Sequence, residues 1–238
     1  MIYVIAHKPF QCDAVTKKKG YQVLQVGSAP TIKGSLRDNT GASISEKNPS
    51  YCELTGHYWM YQNTSDDYIG LVHYRRYFVN HLWHKIDEKM PLSLRIMSFG
   101  KAKRLLKKYD IIVPERWTMN GETILEHWNH NHHPEDLQIV RDIIDRSYPE
   151  MMTAFDEVMN QKGMFLCNMF VMGRTLFDDY SKFLFSVLFE AEKSVNVSTT
   201  SAYQKRVFGF LSERLLNVWI RYKGLKVYEA HVFFNKDL

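Results

Sequence analysis

Short apolar runs that alternate with longer helical patterns are the feature that most narrows what this chain can become. Candidate strands lie at Ile2–Ala6 and at residues 21–26, 68–74, 110–113, 165–172 and 225–234. Helical periodicity covers residues 49–63, 93–108, 121–131, 135–160 with a break near Pro149, 174–193 and 203–222. Such alternation predicts an α/β sheet with helices on both faces. In the stretch 174–193, Leu176, Phe177, Tyr180, Phe183, Leu184, Val187 and Leu188 recur at three- and four-residue steps, a stripe that belongs to the core. Residues 79–91 and 196–201 lack periodicity and read as loops.

No repeat, low-complexity tract or long linker divides the 238 residues, so the expectation is one compact domain. With 45% hydrophobic and 24% charged residues the chain has enough apolar material for a sizeable core. The aromatic share of 14% suits both a large core and a cleft lined with flat rings. A net charge of +5 fits an anionic ligand or an anionic membrane surface and falls short of a nucleic-acid-coating protein. Cys12, Cys52 and Cys167 are too scattered for a disulfide framework or a paired-cysteine metal site, and they read as reduced thiols of the cytoplasm. Lys8 and Pro9 stop the first apolar run too early for a signal peptide, and no stretch reaches the roughly 18 apolar residues of a membrane span. Any membrane contact is therefore expected to be peripheral.

In open α/β sheets ligands sit beyond the carboxyl ends of the strands, so the residues that follow each strand carry the functional expectation. Three such places are chemically loaded: His7-Lys8 after the first strand, His73-Tyr74-Arg75-Arg76 after the third, and the polar segment around Asn168 in the fifth. Two arginines can neutralise a diphosphate through planar forks of donors; the alternative is that they pair with surface carboxylates. Strand alternation sends His73 and Arg75 to one face and Arg76 to the other, unless a turn brings all three together. Residues 38–53 form a small-residue loop in which Asn48 reads as the N-cap and Pro49 as the first position of a helix. That helix start, beside Lys47, is a second anion or ribose candidate, although capping alone accounts for the pair. On the helix at 203–222, Val207, Leu211, Leu215, Val218 and Tyr222 form the buried face, opposite Arg206, Glu213 and Asn217. The polar face is either solvated or lines a cleft; in the second case Glu213 is a general base held by Arg214 or Arg206.

The histidines of residues 127–133 invite a zinc reading, but only His127 and His130 have helical spacing and no HExxH is present. Asp66-Asp67 precedes its strand and Asp178-Asp179 opens a helix, so neither pair makes a convincing metal clamp.

The strings Ile5-Ala6-His7-Lys8, residues 44–49, Tyr51-Cys52-Glu53-Leu54-Thr55 with Tyr58-Trp59, residues 69–78, Asn168-Met169-Phe170 and residues 210–215 occur in order along nearly the whole chain. Together they resemble the bacterial capsular and exopolysaccharide glycosyltransferases long catalogued as a domain of unknown function. The resemblance implies a GT-A-like glycosyltransferase fold, a Rossmann-type mixed sheet flanked by helices, with a nucleotide-binding part at about 1–115 and an acceptor-side part at about 116–238. It implies a UDP-sugar donor, with galactose in pyranose or furanose form among the sugars, and a lipid-linked polysaccharide precursor as acceptor. By this similarity His7, Lys8, Asn48 and Tyr51 border the nucleotide. His73, Arg75 and Arg76 stand where many GT-A enzymes carry a metal-binding Asp-x-Asp, which favours a metal-independent enzyme. His231 in the last strand leaves a divalent metal, manganese or magnesium, open. Family members often carry an acidic residue and Asn where this chain has Gly41-Ala42-Ser43, which bears on donor contact or sugar preference.

The expected chemistry is direct displacement at the anomeric carbon, with Glu213 as base, the arginines on the departing UDP and Asn168 orienting the acceptor. The expected location is the cytoplasm, at the inner face of the cell membrane. Two rivals from other classes are a nucleic-acid-binding module using Arg75 and Arg76, and a metal-dependent hydrolase using the histidines of 127–133. The first predicts a long basic stripe, whereas the Lys and Arg residues here are dispersed and nearly balanced by acids.

Overall fold

The computed structural model describes residues 1–10, 13–28, 30–80, 91–197 and 201–235. The strands are β1 (Ile2–Ala6), β2 (Tyr21–Gln25), β3 (Leu36–Arg37), β4 (Tyr68–His73), β5 (Arg76–Phe78), β6 (Ile111–Pro114), β7 (Trp117–Thr118), β8 (Gly163–Met164), β9 (Phe170–Gly173), β10 (Val227–Ala230) and β11 (Val232–Phe234). The main sheet runs β10-β6-β9-β4-β1-β2-β3, with β5 and β11 joined at the end of β4, while β7 and β8 pair separately. Strands β1, β2, β3 and β4 are mutually parallel, as are β6 and β10. Strand β9 runs antiparallel to both β4 and β6 and joins the two parallel blocks. The sheet is therefore mixed and mostly parallel, as the alternating pattern predicts.

Helices α1 (Asp13–Thr16), α2 (Asn48–Tyr51), α3 (Leu54–Asn63), α4 (Leu92–Arg95), α5 (Phe99–Leu105), α6 (Ile124–Asn131), α7 (Pro134–Ser147), α8 (Met152–Met159), α9 (Arg174–Ala191) and α10 (Val207–Lys223) cover the sheet. Period-two alternation divides the strand side chains between two cores. Tyr3, Ile5, Leu24, Ile69, Leu71, Phe170 and Met172 meet the apolar faces of α3, α9 and α10. Ile2, Val4, Val23, Val72 and Val171 face Val15 of α1 and Ala102 of α5. Both faces are covered, which explains why β1 is apolar at every position. Helix α3 lies so close to the sheet that a Cβ on Gly56 would stand 2.8 Å from Ile5 Cδ1. No helix among the described residues is long and apolar enough to cross a membrane.

Several local expectations are corrected. The helix expected over residues 49–63 is broken at Cys52, whose φ is +51°. Asn48 is not an N-cap: a 3-10 turn, Ser45–Lys47, runs straight into α2, and the Asn48 N–H is already bonded to Ser45 O. Its side chain instead donates to Cys52 O at 2.8 Å and Thr55 Oγ1 at 3.2 Å, so there is no free helix N-terminus here to receive an anion. Strand β9 begins at Phe170, five residues later than expected, because Cys167 and Asn168 have φ of +71° and +50° and cannot continue an extended chain. The last strand divides at His231 into β10 and β11, and β11 turns back to pair with β5. Tyr222 is 39% exposed rather than part of the buried face of α10. Most of the loop expected over residues 79–91, the middle of the one expected over 196–201, and Cys12 lie outside the described residues; Cys52 and Cys167 are free thiols.

Candidate functional site

The carboxyl ends of β1 and β4 lie side by side, with Ile5 paired to His73, so His7-Lys8 and His73–Arg76 emerge at one edge of the sheet. Strand β4 turns directly into β5 through Tyr74 and Arg75, and His73 pairs with Arg76 across this hairpin. Cross-strand partners share a face. The turn thus places Arg76 beside His73, and Arg75 in the loop, where simple alternation would have separated them differently. Around the Tyr74 ring gather His7 (5.2 Å, edge-on), Lys8 (5.8 Å) and Arg75 (5.3 Å). Arg76 stacks over Phe234 of β11 at 5.0 Å. Among the described residues, none of Lys8, Arg75 and Arg76 has an ion-pair partner, and Arg75 Nε is buried without a hydrogen bond. The alternative, pairing with surface carboxylates, is not seen among the described residues. Partial desolvation, then the charges of Lys8, Arg206, Arg75 and His73, lower the His7 pKa and keep its imidazole neutral at neutral pH.

Helix α10 lies within electrostatic reach of this cluster: the charge of Arg206, just before it, acts on His7, and that of Arg76 acts on Glu213. Its Glu213 is nearly enclosed, with 15% of the side chain accessible. Oε1 accepts from the Cys167 N–H at 2.7 Å, and Oε2 faces Arg214 Nη1 at 3.2 Å. Burial raises the Glu213 pKa to about 7, opposed by Arg214 and by the Cys167 hydrogen bond. A carboxylate so placed exchanges a proton near neutral pH, as a general base must. Arg214 is itself buried, lying over Trp128 at 5.0 Å. Of the two arginines proposed to hold Glu213, Arg214 does so. Arg206 instead donates from Nε to Cys52 Sγ at 3.3 Å and lies over Phe210 at 5.6 Å. The expected solvated or cleft-lining face of α10 is in fact divided: Arg206 is exposed, Glu213 is recessed, and Asn217 is buried with its side chain bonded to Phe165 N and O.

Strand β4 and helix α10 meet at Cys167-Asn168. His73 Nε2 donates to Cys167 O at 2.6 Å while Glu213 takes the Cys167 N–H, so the backbone of one residue links β4 to α10. Asn168 is 2% exposed. Its Nδ2 donates to Glu53 Oε1 at 2.7 Å and to Gly209 O at 3.0 Å, and its Oδ1 accepts from Ser212 Oγ at 2.7 Å. Both amide hydrogens and one lone pair of Oδ1 are engaged inside the protein, so the side chain holds the turn. Glu53, Arg206, Ser212 and Gly209 are the members of this site to which the sequence assigned no binding role. Glu53 stands in the Tyr51–Thr55 string, and that string was the only signal for it.

Two other residues expected to border the donor have their side chains engaged within the protein. Tyr51 is fully buried, stacked on Phe208 at 4.5 Å, with its hydroxyl 3.2 Å from Glu192 Oε2. Asn48 sits next to Gly27, where its Oδ1 would be 2.5 Å from an added Cβ, and it acts on the 52–55 backbone. The histidines of 127–133 disperse to separate partners: His127 to Arg214, His130 to Glu122, His132 to Gln204. His231 bonds Glu115. No group of three His, Cys, Asp or Glu among the described residues is arranged to hold a metal ion. A separate groove of about 840 Å³ between α6, α7 and α8 contains none of the cleft residues.

No curated protein sequence matches the chain. Among solved structures, the apo structure of the WbbM bifunctional glycosyltransferase is similar, with a TM-score of 0.83 and 31% identity. The similarity covers 99% of this chain and 45% of that one, so this chain spans less than half of that protein's length. The family model described as "Domain of unknown function (DUF4422)" matches residues 1–224. On that match the chain belongs to the DUF4422 family, the membership that its six ordered strings led one to expect.

Proposed function

We propose that this chain is a glycosyltransferase that moves a hexose from a nucleotide-sugar donor to a saccharide hydroxyl. The observation that carries this reading is that Lys8, Arg75 and Arg76, cations without an ion-pair partner among the described residues, gather at the ends of β1 and β4, and that the charge of Arg76 acts on the α10 carboxylate Glu213, whose pKa burial raises to about 7. The structural likeness to a glycosyltransferase supports it. In this reading the fold is GT-A-like and the whole chain acts as one catalytic unit. Lys8, Arg75 and Arg76, with neutral His7, receive the donor's diphosphate. The acceptor oxygen attacks the anomeric carbon and its proton passes to Glu213. The bond from that carbon to the diphosphate oxygen breaks, and its electron pair leaves on the diphosphate, where the guanidinium groups stabilise it.

The donor proposed is a UDP-sugar, galactopyranose or galactofuranose, and the acceptor a lipid-linked capsular or exopolysaccharide precursor at the inner face of the cytoplasmic membrane. The test is calorimetry with UDP and UDP-galactose, followed by turnover assays on galactoside acceptors. Saturable UDP binding that is lost on replacing Arg75 and Arg76 supports the reading. Absence of nucleotide binding, with a salt-dependent shift on nucleic acid instead, transfers the cations to the rival.

A further inference from the structure

Arg206, the N-cap of α10, is followed on that helix by Phe210 and then by Glu213 and Arg214, at spacings of four, three and four residues that set them along one side. Arg214 Nη1 also donates to Phe210 O at 3.1 Å, fixing the two groups one turn apart. Phe210 belongs to a ladder of rings that starts inside the protein and ends in solvent. Trp128 is fully buried; His132 lies 4.4 Å from it and 4.6 Å from Phe210; Tyr203 lies 5.0 Å from Phe210. Tyr203 is 55% exposed. The turn that carries it is pinned to the end of α6, because Gln204 Nε2 donates to Asn131 O at 2.7 Å and Gln204 Oε1 accepts from His132 Nδ1 at 3.2 Å. Burial lowers the His132 pKa to about 4, so the ladder is neutral at neutral pH.

We propose that Tyr203 and Phe210 form the platform on which the acceptor sugar lies, an assignment that rests on the glycosyltransferase reading and adds to it the acceptor subsite. A pyranose has one face of C–H groups and a rim of hydroxyls. An aromatic surface bordered by charged donors matches both, giving burial to the face and hydrogen bonds to the rim. Arg206 links the rings to the cation cluster. It lies over Phe210 on one side, and its charge acts on His7 and His73 on the other. A sugar seated on the rings therefore lies about one helical turn, ~5.4 Å along α10, from the carboxylate that accepts its proton.

The experiment is saturation-transfer NMR on the full chain with UDP present, using the methyl β-glycosides of galactose, glucose and N-acetylglucosamine as probes. A parallel calorimetric titration with UDP alone reports the donor side. The wild type and Tyr203→Phe should pass saturation to the ring protons of at least one probe. Tyr203→Ala should weaken that probe about tenfold while UDP affinity stays within twofold. Undiminished transfer in Tyr203→Ala overturns the platform, as does a wild type that binds UDP but none of the three glycosides. A wild type that binds a glycoside through Tyr203 but no UDP upholds the platform and removes the nucleotide-sugar donor instead.

Discussion

The backbone N–H of Cys167 donates to Glu213 Oε1 at 2.7 Å, while the carbonyl of the same residue receives His73 Nε2 at 2.6 Å. A single residue with φ of +71° thereby fixes a carboxylate of α10 relative to a histidine of β4. Non-glycine residues adopt such φ values at a cost, and two in succession persist only where the surroundings over-determine them. Here the hydrogen bonds of Cys167 and the three of Asn168 supply that determination.

Glu213→Gln keeps the shape and the acceptor oxygen for Cys167 but cannot take a proton. Under the proposed function it should lower kcat by about 10²–10⁴, with UDP affinity in calorimetry unchanged. A variant with wild-type kcat would remove Glu213 from the chemistry.

The proton balance of Glu213 also sets a pH dependence. Its carboxyl must be ionised to act as base, so kcat/KM should rise with pH and level off above about 7. The folded pKa lies above the ordinary 4.5, so the folded state holds this proton more tightly than the unfolded chain does. The associated stabilisation is complete below 4.5 and is lost as pH climbs through about 7. Melting temperatures of wild type and Glu213→Gln, followed across that window, should shift in favour of the glutamine variant as pH increases.

Replacing Arg75 or Arg76 by Ala should weaken UDP binding by roughly 10–100-fold, the scale of a lost charge-assisted hydrogen bond of about 1.5–3 kcal/mol. Arg75→Lys should recover part of the loss, since it restores the charge without the fork. Equal affinity in the alanine and wild-type proteins would place the diphosphate elsewhere.

Asn168→Ala strips hydrogen bonds from Glu53, Gly209 and Ser212 at a buried turn. The expected cost is on the order of 3 kcal/mol, or about 6–12 °C in Tm for a chain of this size. Asn168→Asp should be worse, because a second carboxylate would face Glu53 Oε1 where an amide now donates at 2.7 Å. An alanine variant with unaltered Tm and a raised acceptor KM would return Asn168 to direct acceptor contact.

Gly56→Ala probes the seat of α3. The added methyl would stand 2.8 Å from Ile5 Cδ1 and 3.0 Å from Val26 Cγ1, so overpacking of about 1–3 kcal/mol is expected in a denaturant titration.

The mixed sheet, its two helical layers and the edge at which the cleft opens follow from patterns that a sequence carries openly. Period-two and helical spacings report burial, and His7, His73, Arg75 and Arg76 follow strands whose ends must converge in a parallel sheet. Glu213 was legible as a helix-borne acid, but its environment was not. Whether one wall of α10 faces water or a recess depends on what packs over it, and that is Cys167-Asn168, some 46 residues away along the chain. Asn48 and Tyr51 mark the opposite limit. The resemblance set both beside the nucleotide, yet the 3-10 turn before α2 and the break at Cys52 commit the side chain of one to the backbone and bury the other. Local spacing thus determined which residues reach the sheet's edge. Long-range hydrogen bonding and burial decided which of them face the cleft, because desolvation and partner choice are properties of the packed chain and not of any segment within it.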